Sequence, residues 1–403
     1  MNVAAAEGAL REALDALADA GAALRARPRA EIAEALAEAW EELADAERAR
    51  GSEARERLVR SSGLTLPMVA WALRATLGDA RAELAALAAR MEPPPGTREA
   101  PPALGALFLA GNVFTAAVAP LSVALLARVP VLVKASSADD ALPRLFADAL
   151  AAHDAALGAA CLVVSPPRGA VALEATILHR AGVVSVFGRD ETLASIRARL
   201  PAGTAFVGHG HGLGLGWVAR GADLRAAAKG LARDVAAYDQ RGCMSPHAIG
   251  VDGDGAAFAE ALAEALADEA RVLPRGPLPT AVGAAQVQWR GVAIARGTLL
   301  EGDGFAVAHE AAGDHAPRLS PGWRNVTVFD ADLAGFAARA GTLGAHLKAI
   351  GVAGGDPRAL AAALPVGLAP RVCAAGAMQT PPLGAYADGL PPWEGWRRFV
   401  SVE

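Results

Sequence analysis

Cysteine is scarce in this chain: three residues in 403, Cys161, Cys243 and Cys373, lie far apart and cannot all pair. That excludes a disulfide scaffold and reads as a set of reduced thiols. Met1 leads into an Ala/Glu-rich helical stretch rather than a signal peptide, so the expected compartment is cytoplasmic. Long blocks of one charge are missing, and 38 basic against 43 acidic residues leave a net charge of −5. Neither nucleic acid nor an anionic membrane surface is therefore an expected partner. Internal repeats and low-complexity tracts are also lacking, apart from an alanine bias. Residues 104–127 carry no charge, but Asn112, Thr115, Pro120 and Ser122 interrupt them. A buried strand, a loop and a buried helix explain that run better than a membrane span.

What is present is apolar residue in quantity, 53% of the chain, enough for two domains and a large core. Residues 1–90 read as helices, with Ile32, Leu36, Trp40 and Leu43 at helical spacing. Ser61-Ser62-Gly63 breaks the pattern, 64–87 resumes it, and a proline-rich connector ends the helical segment near 100. Strands are then expected at 104–110, 129–134, 160–165, 183–187 and 204–207. Helices at 114–127, 138–152, 169–180 and 190–199 fall between them. Such alternation means an α/β fold with a doubly wound parallel sheet, here a domain over 101–238. A helix at 222–238 leads to a cysteine turn. Beyond it, strand 247–251, helix 255–268, a strand near 270–273, strand 325–329, helix 331–343 and strand 349–353 outline a second α/β domain over 239–370. The tail, 371–403, is Pro/Gly-rich with Trp393, Trp396 and Phe399 as anchors, and is expected to pack across both domains.

Cys243 lies in Tyr238-Asp239-Gln240-Arg241-Gly242-Cys243-Met244-Ser245-Pro246, where turn-formers end a helix and a strand begins. A free cysteine is commonly a buried structural thiol. This placement argues instead for a nucleophile, with flanking Arg241 expected to favour the thiolate. Cys161 and Cys373 sit in apolar strand-like contexts and read as core. Asn112 follows an apolar strand in Leu109-Ala110-Gly111-Asn112-Val113-Phe114; its amide is either a loop or cap group or a donor to an oxyanion. Lys134, before Ala135-Ser136-Ser137, is either a solvated lysine or, with Ser136, a partner for phosphate or ribose. The turn Phe187-Gly188-Arg189 is another strand-to-helix junction, without the G-x-G-x-x-G fingerprint. His209 and His211 share one face if 207–216 is a strand, but no third ligand lies nearby in sequence, so no metal is expected. The glycines of 207–216 read as room for a ligand against the backbone.

Together these segments resemble the aldehyde dehydrogenase superfamily. More closely they resemble its acyl-CoA reductase branch, the fatty-acid reductase of bacterial bioluminescence systems. The resemblance is carried by Ala232-Arg233-Asp234, by Tyr238 to Pro246, by Arg371-Val372-Cys373-Ala374-Ala375-Gly376-Ala377-Met378-Gln379-Thr380-Pro381-Pro382 and by Asp388-Gly389. It implies two doubly wound domains with the active site between them. It also implies Cys243 as nucleophile, Asn112 as oxyanion amide, and Lys134, Ser136, Phe187, Gly188 and Arg189 around the cofactor. Arg189 facing a 2′-phosphate would favour NADPH, with NADH as the alternative. Oxidising members carry a glutamate in the glycine-rich strand that activates water, and 207–216 contains no carboxylate. His209 or His211 could stand in as a base, and Glu310 fits poorly as the residue holding the nicotinamide ribose. The expected activity is NAD(P)H-dependent reduction of a long-chain fatty acyl thioester, donated by CoA or a protein, to the aldehyde. An acyl-protein synthetase partner and a homo-oligomer belong to the same expectation. Alternatives are a short-chain CoA-acylating aldehyde dehydrogenase, an acyl-phosphate reductase, or a non-catalytic acyl-transfer scaffold.

Overall fold

The computed structural model describes residues 3–111, 113–136, 139–167, 169–310 and 318–403. Short apolar runs form the strands: Thr97–Glu99 (β1), Gly105–Phe108 (β2), Val131–Lys134 (β3), Cys161–Val164 (β4), Val183–Phe187 (β5), Ala205–His209 (β6) and Leu213–Val218 (β7). They continue with Pro246–Val251 (β8), Thr298–Gly302 (β9), Phe305–Glu310 (β10), Asn325–Asp330 (β11), Leu347–Ala353 (β12), Arg371–Ala374 (β13) and Phe399–Ser401 (β14). Strands β2 to β6 make a five-stranded parallel sheet in the order β4-β3-β2-β5-β6. A seven-stranded sheet runs β13-β12-β7-β8-β11-β10-β9, parallel except for the β9–β10 hairpin at its edge. This is the doubly wound α/β arrangement expected from the alternation of strands and helices.

Five helices, from Val3–Ala26 to Ala80–Arg90, precede the sheets. They share a core with the first sheet: Trp40 stacks on Phe146 at 3.8 Å and its indole N–H donates to Ser122 Oγ at 3.0 Å. The uncharged run divides into β2, a single 3₁₀ turn and the helix Val118–Leu126. No helix among the described residues is long and apolar enough to cross a membrane.

The sheets change over between His209 and Leu213, upstream of the boundary expected at 238. The segment 207–216 is thus two strands rather than one, because β7 turns away to pair β8 and β12. Gly214 and Gly216 admit protein instead of a ligand, whereas Gly208 and Gly210 line a cavity of about 410 Å³. A Cβ at Gly214 would overlap the Met244 carbonyl and come 2.6 Å from Met378 Cε, and one at Gly216 would press on Ile249. The strand expected near 270–273 is the end of the helix Gly255–Val272. Helix Thr280–Arg296 and the β9–β10 hairpin are further elements, the hairpin turning through Gly304 at φ 81°. In the tail, β13 adds to the second sheet while Trp396 is buried against Gly105 of the first. The segments that carry the family resemblance meet here: Asp234 accepts from the Gly376 and Met378 amides at 2.6 and 2.9 Å.

Candidate active site

The helix Leu224–Ala236 ends in three consecutive left-handed residues, Tyr238, Asp239 and Gln240, with φ of 52, 54 and 60°. Such a run is costly for residues with side chains and persists only where surrounding contacts fix it. Those contacts are present. Arg324 Nη2 donates to Asp239 Oδ1 at 2.8 Å, and the Gly276 amide donates to Asp239 Oδ2 at 3.0 Å. The Gln240 side-chain amide donates to the carbonyls of Pro246 and Asn325, both at 2.7 Å. The tight turn 242–245 then closes with Ser245 N donating to Gly242 O at 3.1 Å, which presents Cys243 ahead of β8.

Of the three cysteines, Cys243 is the exposed one; Cys161 is buried and Cys373 half-buried on β13 rather than in the core. Burial pushes the Cys161 and Cys373 thiols up to about 12 and about 11. Cys243 is exposed as a residue, yet protein around its sulfur desolvates the thiol and raises its pKa too. Lys348 pulls the value down and Asp388 pushes it up. Arg241 does not supply the cation expected of it. Its guanidinium donates to the carbonyls of Tyr238 at 3.1 Å and Ser62 at 2.9 Å and lies over the Trp323 ring.

Lys348 and Asp388 line a cleft of about 410 Å³ with His211 and His346 and form an ion pair of 2.6 Å, and His209 Nδ1 lies 3.6 Å from the other Asp388 oxygen. The His209 ring stacks on Phe187 at 4.2 Å, whereas His211 leans toward His346, so the two imidazoles do not share a face. Burial pushes the Asp388 carboxyl up, but its contacts with His209 and Lys348 outweigh that and hold it below the usual range. Glu310 pairs with Arg318 at the far end of β10. Its register partner Phe329 faces Gly250, so it stands on the opposite sheet edge from Cys243.

A cavity of about 330 Å³ opens at the carboxyl ends of β2, β3 and β5, between helices Val171–Arg180 and Asp190–Arg197. Phe108, Lys134, Phe187, Thr192, Glu174 and Arg199 line it. Glu174 lies between two cations, Lys134 at 3.5 Å and Arg199 at 3.0 Å. Arg189 is exposed at the start of its helix and does not line the cavity, so Arg199 is the arginine available there. Gly188 donates its amide to His209 O at 3.1 Å, and Ser136 packs against Gly111 outside the cavity. The position at strand ends, with Lys134 and Arg199 set among Glu174 and Glu191, fits the adenosine end of a dinucleotide. Asn112 lies outside the described residues. Its neighbour Val113 approaches the cysteine turn, 3.7 Å from where a side chain on Gly242 would begin.

Residues 79–396 match the acyl-CoA reductase (LuxC) family. The chain belongs to that family. Two curated relatives are a long-chain acyl-protein thioester reductase 2 of Photobacterium leiognathi, 30% identical over 174 residues, and a long-chain acyl-protein thioester reductase of Aliivibrio fischeri, 29% identical. Each alignment covers 42% of this chain and 36% of the relative, so the LuxC-family chain matches little more than a third of those proteins. Its fold is that of aldehyde dehydrogenases. An NAD-dependent benzaldehyde dehydrogenase from Corynebacterium glutamicum superposes with a TM-score of 0.73 at 17% identity, covering 98% of this chain and 90% of that one. A mutant of aldehyde dehydrogenase C from Pseudomonas syringae, complexed with NAD+ and octanal, gives 0.75 at 16% identity, covering 98% and 88%.

Sequence reasoning missed Lys348, Asp388, Glu174 and Arg199 as site residues. Asp388 stands in the tail segment that carried the resemblance, but only the folded chain brings it 2.6 Å from a lysine 40 residues away.

Proposed function

We propose that this chain reduces a long-chain fatty acyl thioester to the free aldehyde through an acyl-Cys243 intermediate. The observation that carries the reading is the placement of Cys243: an exposed residue on a turn held by Asp239 and Gln240, with the Lys348 and Asp388 charges acting on its sulfur. The Cys243 thiolate attacks the thioester carbonyl, the carrier thiol leaves, and the acyl group stays on sulfur. Asn112 and a backbone N–H of the cysteine turn hold the oxyanion. A reduced nicotinamide, when held by the cofactor site, would supply the hydride that takes the acyl-Cys243 carbonyl to the aldehyde level. Collapse then returns the Cys243 thiolate.

The glycine-rich segment supplies no carboxylate base, which favours reduction over hydrolysis. No carboxylate lies in 207–216, and the one the tail brings in, Asp388, is bound to Lys348 and His209. A carboxylate held below its usual pKa is a poor base for water, so Asp388 offers little of the general-base help that is worth roughly 10²–10⁴-fold.

Lys134, Phe187 and Arg199 of the cavity wall hold the cofactor in this reading, with Gly188 beside them, and NADPH is preferred because the Arg199 guanidinium suits a 2′-phosphate. NADH remains the weaker substrate. The donor is an acyl-protein or acyl-CoA thioester, an acyl-protein synthetase is the supplying partner, and the compartment is the cytoplasm. Exposed Val400 and Val402 beside the β1–β14 pair support a homo-oligomer.

Aldehyde formation from acyl-CoAs of graded chain length, followed by NADPH absorbance, tests the reading. Cys243→Ala is expected to abolish turnover on long chains while NADPH binding persists. Full activity in that variant, or wild-type activity confined to short chains, would contradict it.

A further inference from the structure

We infer that Lys348, positioned by Asp388 from the C-terminal tail, is the cation that sustains the Cys243 thiolate. The inference rests on Cys243 being the nucleophile. Leu347 opens β12 opposite Leu213 of β7, and the next β7 residue, Gly214, faces Pro246 of β8. Lys348 and the cysteine turn therefore stand on one sheet edge with a single strand between them. The residue just ahead of that strand leaves room for the lysine. Gly212 has no side chain, and the Lys348 stem occupies the place where its Cβ would be. The lysine side chain is only 12% exposed and runs along the edge instead of out into water.

Asp388 fixes the far end of that stem. It sits in left-handed backbone at φ 53°, inside a turn closed by reciprocal Ala387 and Leu390 hydrogen bonds of 3.0 and 2.9 Å. A strained aspartate there aims a carboxylate at a lysine from a different part of the chain. The Lys348 and Asp388 charges act on the sulfur in opposite directions with the lysine effect the larger, so the pair as a whole favours the anion. Arg241, adjacent in sequence, is committed to two backbone carbonyls and plays no such part. Lys348 thus does the work for which sequence proximity suggested Arg241, and Asp388 is its positioning residue.

The test is the pH dependence of Cys243 alkylation by iodoacetamide in the full chain, read on the Cys243 peptide by mass spectrometry. K348M and K348Q are expected to move the profile to higher pH and slow alkylation at neutral pH by roughly tenfold or more. K348R is expected to stay close to wild type. K348Q keeps the stem over Gly212 and provides the charge-free arm if K348M fails to fold. A folded charge-free variant with an unmoved profile overturns the inference, because a merely structural lysine would leave the thiol titration alone. If such a variant keeps the wild-type profile while wild-type Cys243 still takes up acyl groups, only the role of Lys348 fails. If wild-type Cys243 takes up none, the nucleophile reading fails with it.

Discussion

Replacing Asp239 by alanine is expected to lower folding stability by about 3–5 kcal/mol, the usual cost of stripping one partner from a buried ion pair. Arg324 is 1% exposed, and its Nε and Nη1 have no hydrogen-bond partner among the described residues, so Asp239 is its principal compensation. Loss of the carboxylate also leaves the Gly276 amide without its acceptor, a group whose burial alone costs about 1–3 kcal/mol. Removing both members is milder, since no lone charge remains. The D239A/R324M double variant is therefore expected to be less destabilised than the sum of its singles by about 2 kcal/mol or more. Urea denaturation of the four proteins at one temperature, compared by midpoint and slope, measures the cycle. D239A should also slow acyl uptake by Cys243, because the left-handed run that presents the turn loses its anchor. A loss below about 1 kcal/mol for D239A, or strict additivity in the cycle, would refute the reasoning.

Gly214→Ala is expected to destabilise the protein and cripple activity, since the new methyl would overlap the Met244 carbonyl one residue past the nucleophile. Gly291→Ala, at an open position inside the helix Thr280–Arg296, should instead stabilise by about 0.5–1 kcal/mol; thermal melts of the two variants check both signs. Burial, opposed by Arg241, holds the Asp139 carboxyl up at about 6 against an ordinary 3.8. The fold thus favours its neutral form, so this contribution is complete below about pH 4 and lost as pH rises through 6. Asp139→Asn should gain on wild type from pH 4 to 8, reaching roughly 3 kcal/mol, and a pH-independent difference in denaturation would contradict it. Arg199→Ala should raise the KM for NADPH more than that for NADH, and equal effects on both would remove Arg199 from the 2′-phosphate.

The first sheet was legible because its strands are short apolar runs broken by amphipathic helices, and each expected strand from 104 to 207 overlaps an observed one. The second sheet was harder. Its β7 hides in a glycine-rich run whose alternation of Gly and Leu is a packing device against Met244 and Met378, not a strand signal. The alanine-rich helix Thr280–Arg296 buries few residues and so has only a weak apolar pattern, and the β9–β10 hairpin follows it. Cys243 could be singled out because polar turn-formers precede a strand there. The charges that act on its sulfur could not, since Lys348 and Asp388 reach the cleft from remote segments and sequence offers only the adjacent Arg241. Arg189 was expected at the cofactor because it adjoins a turn, but adjacency to a turn says nothing about which helix end faces a cavity, and Arg199 lines it.

The covalent step is tested most directly by the mass of the intact protein after mixing with long-chain acyl-CoA in the absence of a nicotinamide cofactor. Wild type is expected to gain the mass of one acyl group, located on the Cys243 peptide and discharged when NADPH is added. Cys243→Ala should gain none. An adduct that survives in Cys243→Ala, or a folded wild-type protein that never acquires one, would contradict the account.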